Sequence, residues 1–135
     1  MKRNAIILEK HLSVGQVGNV AAILMGQLAQ LDTKLFSKEP VIDKDQVQHA
    51  GIQYSTVILK AGSGQIANLA KLLVENAAIN AVVFTATGQS LNNQFEIYAQ
   101  SIKQSRLEET GPVGIAISGE DSEVRQLTKK FSLLK

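Results

Sequence analysis

The sequence predicts an α/β fold in which one domain, spanning residues 1–135, has three layers in the order α/β/α. Four apolar runs alternate along the chain with four segments whose apolar residues recur at helical spacing. The runs are apolar at successive positions, which is typical of strands in a mostly parallel or mixed sheet with helices on both faces. A chain of 135 residues is long enough to bury a single core without disulfides.

The first strand is predicted over residues 4–8, where four apolar residues follow Asn4. The helix after it is predicted over residues 14–31 because its apolar residues fall on one stripe. Small residues keep other parts of this helix slim, so we expect it to lie close against the sheet. The stripe consists of Val17, Val20, Ala21, Leu24, Leu28 and Leu31.

The second strand is predicted over residues 54–60, after a long segment without sustained periodicity. We interpret that segment, residues 34–51, as an irregular excursion with a short edge hairpin around residues 41–47. Ser63 is a predicted N-cap for the second helix, because its hydroxyl can accept a backbone N–H of the first turn. The apolar residues of this helix run from 66 to 77.

The second half of the chain repeats the alternation of strand and helix. The third strand is predicted over residues 81–84, followed by a polar turn over residues 85–90 and a helix from about residue 92. A fourth strand is predicted over residues 112–117. A turn at residues 119–121 then leads into a last helix.

Composition excludes several classes of protein. The chain has no cysteine, which excludes disulfides, thiolate zinc sites and cysteine nucleophiles. No His/Asp/Glu cluster has metal-ligand spacing, and no cofactor is expected. The apolar run behind the basic start stops at Glu9, too early for a signal peptide or a membrane span. We therefore expect a cytoplasmic protein with no membrane partner.

The charge balance does not require a nucleic-acid partner, because 14 Lys and Arg face 12 Asp and Glu. Aromatic residues make up 4% of the chain, which argues against a stacking platform for single-stranded RNA. The C-terminal segment is more basic. Its cations form either a solvated helix face or a patch that contacts phosphates; they are Arg125, Lys129, Lys130 and Lys135.

Two polar turns follow predicted strands and lead into helices, at residues 13–19 and 85–92. If the two strands are neighbours, the turns face each other across one crevice, where open α/β sheets hold ligands. Gln16 and Asn19 are three residues apart and share a helix face, so they either contact a ligand or cap the helix. The predicted ligand-binding residues are Gln16, Asn19, Thr85, Thr87, Gly88 and Asn92.

The second turn also has a purely structural interpretation. Gly88 is expected to supply a positive φ in a tight turn, and Ser90 or Asn92 to cap the next helix.

No catalytic residue can be assigned from the sequence. None of the side chains in the two turns titrates near neutral pH, whereas general acid–base catalysis needs a group tuned towards the working pH. Only Glu9, Lys10 and His11 precede the first turn closely enough to supply one. His11 and His49 are interpreted mainly as surface residues.

Four stretches of the chain resemble an uncharacterised bacterial family, the domain of unknown function DUF2000. They are Leu12 with Gln16–Gly26, Phe84–Gly88 with Asn92, Val113–Gly119, and Val124 with Leu127–Leu134. The resemblance implies the fold of the archaeal and eukaryotic type of peptidyl-tRNA hydrolase, a three-layer domain with a four-stranded mixed sheet. It also implies a homodimer, since those hydrolases are commonly dimers.

The motifs of the hydrolases are altered in this chain. The hydrolases carry Gly-Lys where this sequence has Gly15-Gln16, and Asp-Ala-Gly-x-Thr where it has Thr85-Ala86-Thr87-Gly88. Both charges that could position or activate a water are therefore replaced. The closer family is expected to have Trp at Gly15, Thr-Gly-Asn-Asp at residues 87–90, and Arg at Asn93.

Three functions are consistent with these observations. The first is a domain that binds a small polar or anionic ligand at the two turns, without the catalytic Lys and Asp of the hydrolases. The second is a protein-interaction module without catalysis. The third is a divergent hydrolase of peptidyl-tRNA or a related ester, which would hold tRNA phosphates with the basic C-terminal segment.

Overall fold

Seven strands and six helices follow one another in the structure, a computed structural model that describes residues 1–135. The first part of the chain forms β1 (Lys2–Glu9), α1 (Val14–Leu31), β2 (Val41–Ile42), β3 (Gln48–His49), β4 (Ser55–Ala61) and α2 (Ser63–Leu73). The second part forms β5 (Asn80–Thr85), α3 (Ala86–Ser90), α4 (Phe95–Lys103), α5 (Leu107–Thr110), β6 (Pro112–Glu120), α6 (Asp121–Thr128) and β7 (Ser132–Leu133).

The main sheet is mixed and has five strands in the order β5-β6-β1-β4-β7. Among neighbouring strands, only β1 and β4 pair in parallel; β6 runs antiparallel to both β1 and β5, and β7 runs antiparallel to β4. All four predicted strands are present, but the prediction of four strands in the sheet was wrong. The fifth strand has two residues paired with Leu59 and Lys60, which is too short to produce a periodic pattern.

The excursion contains the expected hairpin, although not as an edge of the main sheet. Val41 pairs with His49 and Ile42 pairs with Gln48, so that β2 and β3 form a separate two-stranded sheet. Both strands are exposed.

Helices cover both faces of the sheet, as the apolar runs predict. Alternate residues of β1 point to opposite faces. Ala5 and Ile7 pack in one core with residues of α2 and α6, whereas Ile6 and Leu8 pack in a second core with residues of α1. The helix side chains buried in these two cores are Ile66, Leu69, Leu73 and Val124 on the first face, and Val20, Leu24 and Leu28 on the second.

Helix α1 has the predicted bounds, but three other boundaries differ from the prediction. The N-cap of α2 is Gly62, and the Ser63 hydroxyl instead donates to the Pro112 carbonyl at the start of β6 (2.8 Å). The predicted third helix is divided, because α3 begins directly after β5 and α4 begins only at Phe95. Gly119 lies within β6 and not in a turn. No helix combines the length and the hydropathy that a bilayer span requires.

A buried carboxylate stabilises the C-terminal end of α1. Asp32, the C-cap residue, is 8% exposed and bonds the Lys2 ammonium at the start of β1. Its second oxygen accepts the Lys34 backbone N–H at 3.0 Å. The bond from Lys2 is the main reason that the pKa of Asp32 lies below its usual value. This pair ties the end of α1 to the central strand.

Replacing Asp32→Asn should lower the free energy of unfolding at neutral pH by about 1–3 kcal/mol, because it removes one partner of a buried ion pair. A carboxylate whose folded pKa is depressed stabilises the fold above its unfolded pKa, and that contribution is lost as the pH falls through the folded pKa. The difference from wild type should therefore shrink below about pH 4. Urea denaturation of both proteins at several pH values between neutral and acid measures this difference in the free energy of unfolding.

Asp45→Asn is the matched control, because Asp45 lies in the exposed hairpin turn and its side chain has no hydrogen-bond partner. It should change stability by less than about 0.5 kcal/mol. A difference between Asp32→Asn and wild type that stays constant into the acid range would contradict the assignment.

Candidate functional site

The two polar turns lie at the same edge of the sheet but do not follow neighbouring strands. The sequence predicts that the turns face each other only if β1 and β5 are neighbours in the sheet. They are not neighbours, because β6 lies between them. Both β1 and β5 run antiparallel to β6, so their carboxyl ends point the same way. Two strand spacings, about 10 Å, separate them.

A cleft lies between α1 and the segment after β5, because α1 crosses over β5 and β6 on one face of the sheet. Its volume is about 350 Å³, and Ile23 of α1 forms one wall. The other lining residues come from the end of β5 and the segment after it: Phe84, Gly88, Leu91, Asn92, Asn93, Phe95 and Tyr98. No residue of the first turn lines this cleft, so it is not the crevice between the two turns that the sequence predicts; it lies between Ile23 of α1 and the α3–α4 segment.

In the first turn, Gln16 caps α1. Its side-chain carbonyl accepts the Ser13 backbone N–H (3.0 Å), and the Ser13 hydroxyl accepts the Gln16 backbone N–H (3.4 Å). This reciprocal arrangement is a capping box and stabilises the helix start. Of the two roles predicted for Gln16, capping is the one observed.

Asn19 remains free to bind. It is exposed, and its side chain forms no hydrogen bond within the chain. Asn19 and Ile23 are four residues apart in α1, which places them on the same side of the helix. Its amide therefore lies one helical turn along α1 from the wall of the cleft.

In the second turn, the hydroxyls of both threonines bond to the backbone. Thr85 is buried and caps α3, since its Oγ1 accepts the Gly88 backbone N–H at 3.2 Å. Thr87 Oγ1 donates to the Thr110 carbonyl at 3.3 Å. Asn92 lines the cleft and donates its Nδ2 to the Gln89 carbonyl at 3.1 Å. The predicted cap for the helix that starts near residue 92, Ser90 or Asn92, was wrong, because the N-cap of α4 is Gln94.

Gly88 has a different role from the one predicted. It lies within α3 with an ordinary φ, so the prediction of a positive φ was wrong. A Cβ at this position would lie 2.5 Å from Phe84 Cε1 and 3.3 Å from Tyr98 Cε1. Glycine is required here because two aromatic rings approach its backbone. The positive φ in this segment belongs to Asn93 (64°), a residue type that tolerates it.

The apolar walls of the cleft could not be found by a search for polar side chains. Phe95 and Tyr98 are three residues apart, as expected for core positions of a helix, whereas Ile23 lies off the predicted apolar stripe of α1. In the structure Ile23 is 43% exposed, and α4 buries none of its residues completely. Their partial exposure is a tertiary property without a local sequence signal.

None of the eight residues that line the cleft is an Asp, Glu, Lys, Arg or His. His11 is exposed and bonds Glu9 (2.9 Å), and His49 lies in the hairpin, 2.6 Å from Asp43. The bond from His49 lowers the pKa of Asp43. No group of three or more His, Cys, Asp or Glu residues could hold a metal ion.

The basic C-terminal cluster lies away from the cleft. It begins on α6, which packs on the face of the sheet opposite to α1. Arg125 is engaged within that helix, because its Nε donates to Asp121 Oδ2 at 2.8 Å. Lys129, Lys130 and Lys135 are exposed. None of these cations lines the cleft.

The profile of one protein family, described as "Protein of unknown function (DUF2000)", matches residues 2–135. The chain belongs to the DUF2000 family. It is similar to the solved structure of a protein of unknown function from Agrobacterium tumefaciens strain C58, with a TM-score of 0.84 and 18% sequence identity. The similarity covers 99% of this chain and 98% of the other one. At this identity it establishes the shared fold only. A search of curated proteins finds no match.

The contact of Gly88 with two rings gives a test of how this DUF2000 chain forms its cleft. Gly88→Ala should lower the free energy of unfolding by about 1–3 kcal/mol, because the added methyl group overlaps the Phe84 ring. Gly18→Ala is the matched control. Gly18 lies in α1, and a Cβ there would meet nothing within 4 Å.

The control should raise the free energy of unfolding by about 0.5–1 kcal/mol, through helix propensity alone. Urea denaturation of wild type and both variants measures the two changes in the free energy of unfolding. Equal effects of the two substitutions would show that Gly88 has no special packing role.

Proposed function

We propose that this DUF2000 chain binds a small polar molecule in the cleft between α1 and the α3–α4 segment, and does not catalyse its conversion. The observation that carries the proposal is the combination of an apolar cavity with amides and without charges. A volume of about 350 Å³ suits a small molecule, and ligand sites are mostly apolar with a few placed polar groups.

The lining indicates the chemistry of the ligand. Ile23, Phe84 and Tyr98 offer surface for an apolar or aromatic body. Asn92 and Asn93 offer both donors and acceptors, as expected for recognition of a hydroxyl, carbonyl or amide group. An anion entering the cleft would lose hydration without meeting a cation. Of the polar and anionic ligands expected from the sequence, the neutral ones are therefore favoured.

The contacts of the polar residues also support binding over catalysis. Gln16 and Thr85 act as helix caps, and Thr87 bonds the Thr110 carbonyl. These residues stand where the hydrolases carry their motifs, so the positions that would have to act on water have structural partners instead. The proposal includes the fold of the peptidyl-tRNA hydrolases and a cytoplasmic location, both expected from the sequence. It does not include hydrolysis of peptidyl-tRNA.

Binding can be measured with three probes: benzamide, indole-3-carboxamide and benzoate. Amide chemical shifts of a ¹⁵N-labelled protein should move at Ile23 and over residues 88–98 with the two neutral amides. Benzoate tests the charge preference and should bind at least tenfold more weakly. Absence of any shift with the amides at millimolar concentration would overturn the proposal.

Two variants of α1 make this test specific. Ile23→Lys places a charged side chain in the cleft, and it should abolish the amide-induced shifts. Val14→Lys makes the same change of charge in the same helix, at a residue that is 92% exposed and does not line the cleft. It should leave the shifts as in wild type. Equal effects of the two lysines would indicate non-specific binding.

The proposal also predicts that the chain does not release peptide from peptidyl-tRNA. A single-turnover reaction with protein in excess over labelled peptidyl-tRNA should proceed at the rate without protein, because the cleft lacks a group to activate water. Release that is abolished by Thr87→Val would favour the divergent hydrolase instead.

A further inference from the structure

A second cavity, the lysine groove, lies at the end of the sheet opposite to the cleft. Its walls are residues 33–38, which follow α1, and residues 53–54, which lead into β4. Because β4 runs parallel to β1, the groove lies where both strands begin, whereas the cleft lies where β5 ends. Its volume is about 310 Å³. The lining residues are Thr33, Lys34, Phe36, Lys38, Gln53 and Tyr54.

The two walls of the lysine groove are joined by hydrogen bonds. Phe36 pairs with Ile52 in an antiparallel bridge, and the Gln53 side-chain amide donates to the Lys34 carbonyl at 2.8 Å. The rings of Phe36 and Tyr54 are half-buried, because each packs against the core beneath α1 and also lines the groove. The groove is therefore formed before any ligand arrives, which lowers the entropic cost of binding.

The lysine groove is rich in hydrogen-bond donors that have no partner in the chain. The ammonium groups of Lys34 and Lys38 take part in no ion pair. The hydroxyls of Thr33 and Tyr54 form no hydrogen bond within the chain either. No Asp or Glu lines the groove. Donors without a carboxylate among them favour an anion as the ligand.

The acidic residues near the lysine groove do not neutralise its cations. Asp32, at the end of α1, is 8% exposed, and its oxygens accept bonds from the Lys2 ammonium and from the Lys34 backbone N–H. Glu39 follows Lys38 in the chain, but it does not line the groove and forms no ion pair. The charges of both lysines therefore remain available to an external anion.

We infer that the lysine groove binds a small aromatic phosphate, either an aryl phosphate or a nucleoside monophosphate. A phosphate monoester carries a charge of about −1.5 to −2 at neutral pH and several acceptor oxygens, which matches two ammonium groups and two hydroxyls. Lysine binds phosphate as a point charge and needs no fixed fork geometry. The rings of Phe36 and Tyr54 offer surface for a planar aromatic body. The volume of about 310 Å³ suits a small molecule.

The cleft and the lysine groove differ in charge. No Asp, Glu, Lys, Arg or His lines the cleft, whereas two lysines line the groove. The two cavities also have no lining residue in common. A neutral amide and an aromatic phosphate should therefore bind at opposite ends of the sheet without displacing each other. The inference does not rest on the proposed function, and the failure of one leaves the other standing.

Amide chemical shifts of ¹⁵N-labelled protein test the inference, with phenyl phosphate as the probe. Shifts should move over residues 33–38 and 53–54, and stay constant over residues 88–98. Lys34→Gln and Lys38→Gln should each weaken binding by about fivefold, because each removes one of two cations. Both lysines are exposed, so their substitution leaves the core intact. Binding should also weaken when the ionic strength rises from about 0.01 to 0.15 M.

Lys44→Gln is the matched control. Lys44 is exposed in the hairpin turn, forms no ion pair and does not line the groove. Its substitution should leave the affinity for phenyl phosphate unchanged. Absence of shifts over residues 33–38 at millimolar phenyl phosphate would overturn the inference, and so would equal losses of affinity in the three glutamine variants.

Two further probes distinguish the sources of the phosphate. Adenosine monophosphate that binds more tightly than phenyl phosphate would assign the groove to nucleotides, and the reverse order would assign it to aryl phosphates. Inorganic phosphate should bind more weakly than both, because it has no ring to contact Phe36 and Tyr54. Inorganic phosphate that binds as tightly as either would overturn the aromatic part of the inference.

Discussion

The fold depends on the burial of β1 on both of its faces. This strand lies at the centre of the sheet, and its residues from Asn4 to Leu8 are at most 2% exposed. Because its side chains alternate between two cores, a slip of one residue against its neighbours would exchange the two apolar sets. A row of polar residues across three strands, near the amino end of β1, also opposes such a slip. Asn4 lies opposite Thr56 on one side and Ser118 on the other, and it donates to Thr56 Oγ1 at 3.2 Å.

The central strand also determines where the candidate site lies. The chain leaves β1 at Glu9 and enters α1 through the Ser13–Gln16 capping box, and α1 then returns across β6 and β5. This path places Ile23 above the end of β5, although β6 lies between β1 and β5. The site therefore follows from where the helix crosses the sheet and does not require neighbouring strands.

Local signals explain which elements could be predicted from the sequence. The bounds of α1 were predicted at Val14 and Leu31 because its apolar residues form a regular stripe, and the structure has the same bounds. Strand β7 and the division between α3 and α4 were not predicted. Two residues of strand have no period, and α3 is only five residues long, starting directly from Thr85 at the end of β5. Short elements of this kind are stabilised by tertiary contacts, which a single sequence does not reveal.

The same distinction applies to the site. The first turn leads from β1 into α1 as predicted, but the second was predicted over residues 85–90, where the structure has helix α3 directly after β5. The sequence left the chemical roles of the polar side chains open, since a hydroxyl that caps a helix and one that binds a ligand look identical in sequence. Gly88 illustrates this limit. Its residue type suggested an unusual φ, whereas the constraint is the approach of Phe84, which lies four residues earlier in the chain.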